Sequence, residues 1–167
     1  MVTTVITHME QSMNLRALAP LVSCVAFAAP LAAQAAPTFV NPPGLSAPGG
    51  YTHAVVVPPG TRLVVISGQV ALDSAGKIVG AGNMTAQATQ VFENLKLALA
   101  GVGATFKDVV KLNTYLTNMG QSQAFRTVRD KYVNPAAPPA STLVEVRRLF
   151  RDEFVIEVEA MVALPDK

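Results

Sequence analysis

Cysteine is nearly absent: Cys24 is the only one in 167 residues. No disulfide can form within the chain, and once the segment around Cys24 is removed no thiol nucleophile or Cys-based metal site remains. There is no tryptophan, and the histidines are His8 and His53. His53 has no Cys or carboxylate cluster beside it, so it does not make a zinc or iron site, and a Ser-His-Asp triad would have to be built on it alone. Its plain reading is structural, and no metal or other cofactor is expected. Charge is sparse as well, at 14% of residues with a formal net charge of +2. The basic residues Arg126, Arg129, Lys131, Arg147, Arg148 and Arg151 are scattered without aromatic or Gly-rich motifs around them, so nucleic acid is not an expected partner. What is present is apolar surface: half of the residues are hydrophobic, enough for one domain with a full core.

The N-terminal part differs from the rest. Leu15 to Ala36 is rich in Ala and Leu and has no acidic residue. Arg16 supplies a basic n-region, Ala17 to Leu31 an apolar h-region, and Ala33, Gln34 and Ala35 a small-residue cleavage site. Residues 1–35 therefore read as a secretory signal, with Met9 and Met13 as further candidate starts, and the mature protein is expected to be periplasmic or secreted. A buried Ala-rich helix is the competing reading, but Pro20 and Pro30 would interrupt it. The run is also short and broken for a bilayer span, which needs roughly 20 apolar residues, so the mature form is expected to have no membrane partner. Leu21 to Cys24 resembles a lipoprotein box that would place a lipid on Cys24; the apolar continuation beyond Cys24 argues against it.

Residues 36–50 are a Pro/Gly-rich leader, and 51–167 form the domain. His53 to Val57 and Arg62 to Val70 are β-branched runs separated by Pro58, Pro59 and Gly60, which predicts a hairpin. Asn83 or Thr85 can cap a helix to about Ala100, since Ala88, Val91, Phe92, Leu95 and Leu99 recur at three- and four-residue spacing and Gly101 and Gly103 stop it. Val109 to Leu116 alternates as a strand with Lys111, Asn113 and Tyr115 on one side. Gln121 to Tyr132 predicts a second helix, ended by Asn134 and Pro135. Two β-period runs close the chain, Ser141 to Leu149 and Phe154 to Val162. The order predicts an α+β domain with a mixed sheet and both helices on one face. Apolar residues at both parities in Leu63 to Ile66 and Phe154 to Val162 predict that the other face is buried against further subunits. In the last run, the apolar neighbours of Glu157 and Glu159 imply a largely buried strand, where an ionised carboxylate needs a partner or a shifted pKa.

Four segments occur together in order: Ser67 to Val70 after a strand, Ala86 to Ala88 with Phe92 to Lys96 on the helix, Val110 to Thr117, and Val155 to Ala160. With them the chain resembles the Rid (YjgF) family of enamine and imine deaminases, over about Tyr51 to Pro165. The resemblance implies a chorismate-mutase-like fold with a six-stranded mixed sheet, a homotrimer, and clefts for a small-molecule ligand between subunits. It also implies roles. Glu159 falls on the glutamate that orients the attacking water, Tyr51 on the ring-bearing cleft residue, and Gly68 and Leu143 on main-chain contacts to the ligand.

One implied residue is missing. The family holds the substrate carboxylate with an arginine just after the proline before the penultimate strand, and the segment here runs Pro139, Ala140, Ser141, placing Ser141 at the arginine. A guanidinium grips a carboxylate bidentately, whereas a serine hydroxyl offers one neutral hydrogen bond. Losing such a pair costs on the order of 2–5 kcal/mol, or about 30- to several-thousand-fold in binding. The expected function is therefore an enamine/imine deaminase poor on 2-iminopropanoate, with a non-catalytic ligand-binding or protein-protecting trimer as the alternative. Arg129, which replaces an asparagine of the second helix, or Arg147 could restore the charge from another direction, although a solvated arginine on a helix or strand face is the commoner case. For Glu159 an ion pair with an arginine across the subunit boundary competes with catalysis, and Glu157 and Glu145 are expected to be surface charges.

Overall fold

A computed structural model of the chain describes residues 35–166. Apart from Ala35, the expected secretory segment, with Cys24, lies outside the described residues. In chain order the elements are β1 (Thr38–Val40), β2 (Ala54–Val56), β3 (Thr61–Gln69), α1 (Met84–Gly101), β4 (Val109–Leu116), α2 (Ser122–Arg129), β5 (Ala140–Glu145) and β6 (Ile156–Pro165), with single 3-10 turns at Phe106–Asp108 and Met119–Gln121. Among the described residues no helix is long and apolar enough to cross a membrane.

The longer helix starts where its cap allows. Asn83 Oδ1 accepts the Ala86 amide at 3.0 Å, satisfying one of the first-turn N–H groups. The 3–4 spacing then turns Ala88, Val91, Phe92, Leu95 and Leu99 to one buried stripe, which lies across β3 and β6 while α2 packs against α1. Phe92 is central: its ring stacks on Tyr132 at 5.0 Å and lies 5.8 Å from Phe106 and 6.4 Å from Phe125. Phe92→Ala removes the hub of this aromatic cluster, and the expected loss of about 3–5 kcal/mol is measurable by urea unfolding.

The main sheet has the order β3-β6-β4-β5, with β6 antiparallel to both its neighbours and β5 parallel to β4. The α+β class and mixed sheet are as expected, but the six strands do not form one sheet. Nor do the runs on either side of Pro58 and Pro59 form a hairpin: β2 pairs antiparallel with β1, drawn from the segment read as a leader, and β3 pairs with β6. Two prolines fix φ and remove N–H donors, which denies the chain a tight two-residue turn and sends it on to a different partner. A bridge between Thr52 and Ala140 links the small sheet to the β5 edge. α2 ends at Arg129, before the expected Tyr132, and β5 ends at Glu145 because the arginine-rich stretch after it is exposed loop.

Two side-chain amides of α1, one buried and one half-buried, pin the sheet in place. Gln87, fully buried, donates to Glu153 O at 2.6 Å and accepts from Val155 N at 2.9 Å, which fixes the entry to β6. Asn94 donates to Val70 O and Leu72 O at 3.0 and 2.9 Å, tying the helix to the exit of β3. The phase of Glu157 and Glu159 is set by these anchors and by the alternation of β6, which turns Ile156, Val158, Ala160 and Val162 to the helices. The opposite face stays open, with Val65 72% exposed and Leu63 48% exposed.

Candidate functional site

The open face of the sheet assembles the acidic part of the site. β4 alternates, so that Leu112, Thr114 and Leu116 face the helices and Lys111, Asn113 and Tyr115 face outward. Asn113 stands opposite Glu159, and Tyr115 opposite Glu157. Asn113 Nδ2 and Tyr115 Oη both donate to Glu159 Oε2 at 3.3 Å. Burial raises the Tyr115 pKa, with the charge and hydrogen bond of Glu159 and the charge of Glu157 adding to it. The phenol therefore stays protonated and remains a donor. Glu159 is thus held by two neutral donors, and its second oxygen has no hydrogen bond among the described residues.

Glu157 differs from the surface charge expected of it. Its pKa is raised, first by burial and then by the Glu159 charge. Its side chain lies against Gly68, where an added Cβ would overlap Glu157 Oε1. The register shift of β3 between Ile66 and Gln69 brings the Gly68 main chain to this position. Lys111 Nζ donates to Thr142 Oγ1 at 2.6 Å on the same face, and burial lowers its pKa. Glu145 accepts the Met119 amide at 2.6 Å, which makes it a cap for the turn before α2.

The remaining expected site residues gather elsewhere. In the parallel register Ser141 stands opposite Leu112 and Leu143 opposite Thr114, both helix-facing positions, and Leu143 packs against the core. Tyr51 lies beside this edge, because Thr52 N donates to Pro139 O at 3.2 Å and Thr52 Oγ1 to Pro138 O at 2.6 Å. The Tyr51 ring meets His53 edge-on at 5.2 Å, and His53 Nε2 is 2.9 Å from Ser46 O. Arg129 is 6% exposed and lies against Gly50, while Arg147 is exposed in the loop after β5.

The expected site residues therefore fall into two separate groups. Glu159, Glu157 and Gly68 stand on the open face; Tyr51, Arg129, Ser141 and Leu143 stand on the helix side and edge of β5. Two cavities of about 640 Å³ are lined by none of these residues, one by Lys96, Phe106, Lys107 and Tyr132 and the other by Gln69, Asp73, Gln90 and Asn94. Among the described residues no group of three His, Cys, Asp or Glu could hold a metal ion. The sequence reading missed Asn113 and Tyr115 as partners of Glu159. Their alternation on β4 was a usable signal, but the pairing needs the β4–β6 register.

The profile of the family described as Endoribonuclease L-PSP matches residues 43–164. Protein DfrA of Myxococcus xanthus is 38% identical over 113 residues, 68% of this chain and 84% of that protein. A 2-iminobutanoate/2-iminopropanoate deaminase of Dermatophagoides farinae is 30% identical over 116 residues, 70% of this chain and 87% of that enzyme. Among solved structures, a protein of the conserved Rid family from Yersinia pestis, YyfB, superposes with a TM-score of 0.65 at 33% identity, covering 77% of this chain and 98% of its own.

Proposed function

Because the chain belongs to the Rid family, the group matched by the Endoribonuclease L-PSP profile over residues 43–164, we propose that it is an exported homotrimer that binds a small planar metabolite in a cleft between subunits and hydrolyses enamine or imine compounds. The observation that carries this reading is the placement of Glu159. Its carboxylate is oriented by Asn113 and Tyr115 on an open sheet face, with one oxygen left for water. The separation of the two groups of site residues supports a cleft completed by a neighbouring copy. So does the exposure of Val65 and Leu63 beside the carboxylates, since an apolar sheet face of this kind is stable when covered.

The chemistry follows from those groups. As water adds to the carbon of a protonated imine, the C–O bond forms and Glu159 takes a proton from the water. Glu159 returns that proton to the carbinolamine nitrogen, the C–N bond breaks, and the carboxylate takes the hydroxyl proton as the carbonyl forms and passes it to solvent. Imine and water become carbonyl compound and ammonia. The missing Cβ at Gly68 makes room for the Glu157 carboxylate on the same face as Glu159. Cleavage of RNA has less support on this face: two carboxylates repel a phosphodiester, and the adjacent cation, Lys111, is engaged with Thr142.

Ser141 is the observation that favours a second reading, a non-catalytic ligand-binding or protein-protecting trimer, since the carboxylate-gripping arginine of deaminating relatives is replaced. Ammonia release from imines generated in situ by an amino-acid oxidase separates the two. The expected result is release above the spontaneous rate for at least one imine and a trimer mass by light scattering. No release from any imine supports the binding reading, and a monomer removes the intersubunit cleft.

A further inference from the structure

We infer that Arg129 is the anion anchor of the cleft: its guanidinium binds the carboxylate of the ligand from the α2 side, replacing the charge that Ser141 does not supply. This rests on the cleft reading above and names the residue that selects the ligand.

The first ground is a partly used guanidinium fork. Arg129 is 6% exposed, and a guanidinium so withdrawn from water needs compensation. Its counter-charge is its sequence neighbour Asp130, whose side chain is 58% exposed and keeps much of its hydration. Nε and Nη2 of Arg129 both donate to one oxygen of Asp130, at 2.9 and 2.7 Å. Here Nη1 has no hydrogen-bond partner among the described residues. It is not sealed in either, since among the described residues the buried side-chain polar atoms without a partner are Thr114 Oγ1 and Gln121 Oε1. Asp130 orients the fork from one side, and the Phe125 ring lies 5.8 Å from the guanidinium carbon.

The second ground is where that fork lies. The guanidinium presses on Gly50, where an added Cβ would overlap Nη2 and where φ is +75°. Gly50 precedes Tyr51, and Thr52 is bonded to Pro138 and Pro139 and bridged to Ala140, the residue before Ser141. Arg126, one turn earlier on α2, holds the same strip by donating to Gly49 O at 3.3 Å. The strip that carries Tyr51 and leads to Ser141 is therefore backed by a buried positive charge. A carboxylate bound there accepts from Nη1, and the small Ser141 leaves room for a ligand bulkier than 2-iminopropanoate. The ligand class is a planar imino or enamino acid with a side chain larger than methyl.

The test uses the mature, assembled protein and two planar probes of one shape, benzoate and uncharged benzamide, followed by titration calorimetry. Arg129→Gln is expected to weaken benzoate by about 30-fold or more and to leave benzamide unchanged, Arg129→Lys to weaken benzoate less, and Lys77→Gln, on an exposed turn, to leave both as in the wild type. Equal loss of benzoate and benzamide in a folded Arg129→Gln or Arg129→Lys protein, benzoate binding indifferent to Arg129, or no benzoate binding by the wild type would each overturn the assignment. Ammonia release is read separately. Arg129-dependent benzoate binding in a protein that releases no ammonia would keep the anchor and remove the deaminase.

Discussion

Glu159→Gln is expected to lower ammonia release from the protein's best imine by about 10²- to 10⁴-fold, the span ascribed to a positioned acid–base group. The substitution keeps the size and planarity of the side chain and can still accept from Asn113 Nδ2 and Tyr115 Oη. It removes only the capacity to take a proton from water. The loss should appear in kcat with KM nearly unchanged, because a group acting on water contributes more to the transition state than to ground-state binding. Tyr115→Phe and Asn113→Ala remove one orienting donor each and should cost less, in the order of one hydrogen bond to a charged group, about 1.5–3 kcal/mol. Full activity in a folded Glu159→Gln protein would move the base elsewhere. Glu157 is the group to examine next, since burial and the Glu159 charge both favour its protonated form.

Much of this site could be read in the chain because its chemistry conflicts with its surroundings. Glu159 stood out as a charge flanked by Val158, Ala160 and Met161, and the structure resolves the conflict by turning it to an open face with two donors. Helix α1 was legible for an independent reason: its cap, its 3–4 apolar spacing and its terminal glycines agree with one another. The failures concern partners distant in sequence. Nothing local to Ala54–Val56 says that it pairs with Thr38–Val40 in place of the strand that follows. Nothing in the Glu157 environment says that a glycine from β3 will lie against it, because that contact depends on a register shift. Arg129 was visible as a departure from the family's pattern, but its burial and its half-used fork depend on packing against Gly50 and Asp130.

Installing the missing arginine should confirm the division of labour between the two edges of the cleft. Ser141→Arg places a guanidinium on β5, one residue after Ala140 and close to the strip that Arg129 already backs. Two like charges in a poorly solvated space repel, so the single substitution should recover only part of what a charge-assisted carboxylate contact is worth. Ser141→Arg with Arg129→Asn relieves the repulsion and restores the residue pair of arginine-anchored relatives. The double variant is therefore expected to raise kcat/KM for 2-iminopropanoate by about 30-fold or more, the lower end of a 2–5 kcal/mol anchor. The gain should exceed the product of the two single effects, the non-additivity that marks residues sharing one partner. The same double variant should lose affinity for bulkier imino acids, because the arginine fills the room that Ser141 leaves. Two results would sink this account: wild-type activity on 2-iminopropanoate equal to that of an arginine-bearing relative, or single effects that multiply without coupling. The first would mean that Ser141 disables nothing, and the second that positions 129 and 141 serve different ligand groups.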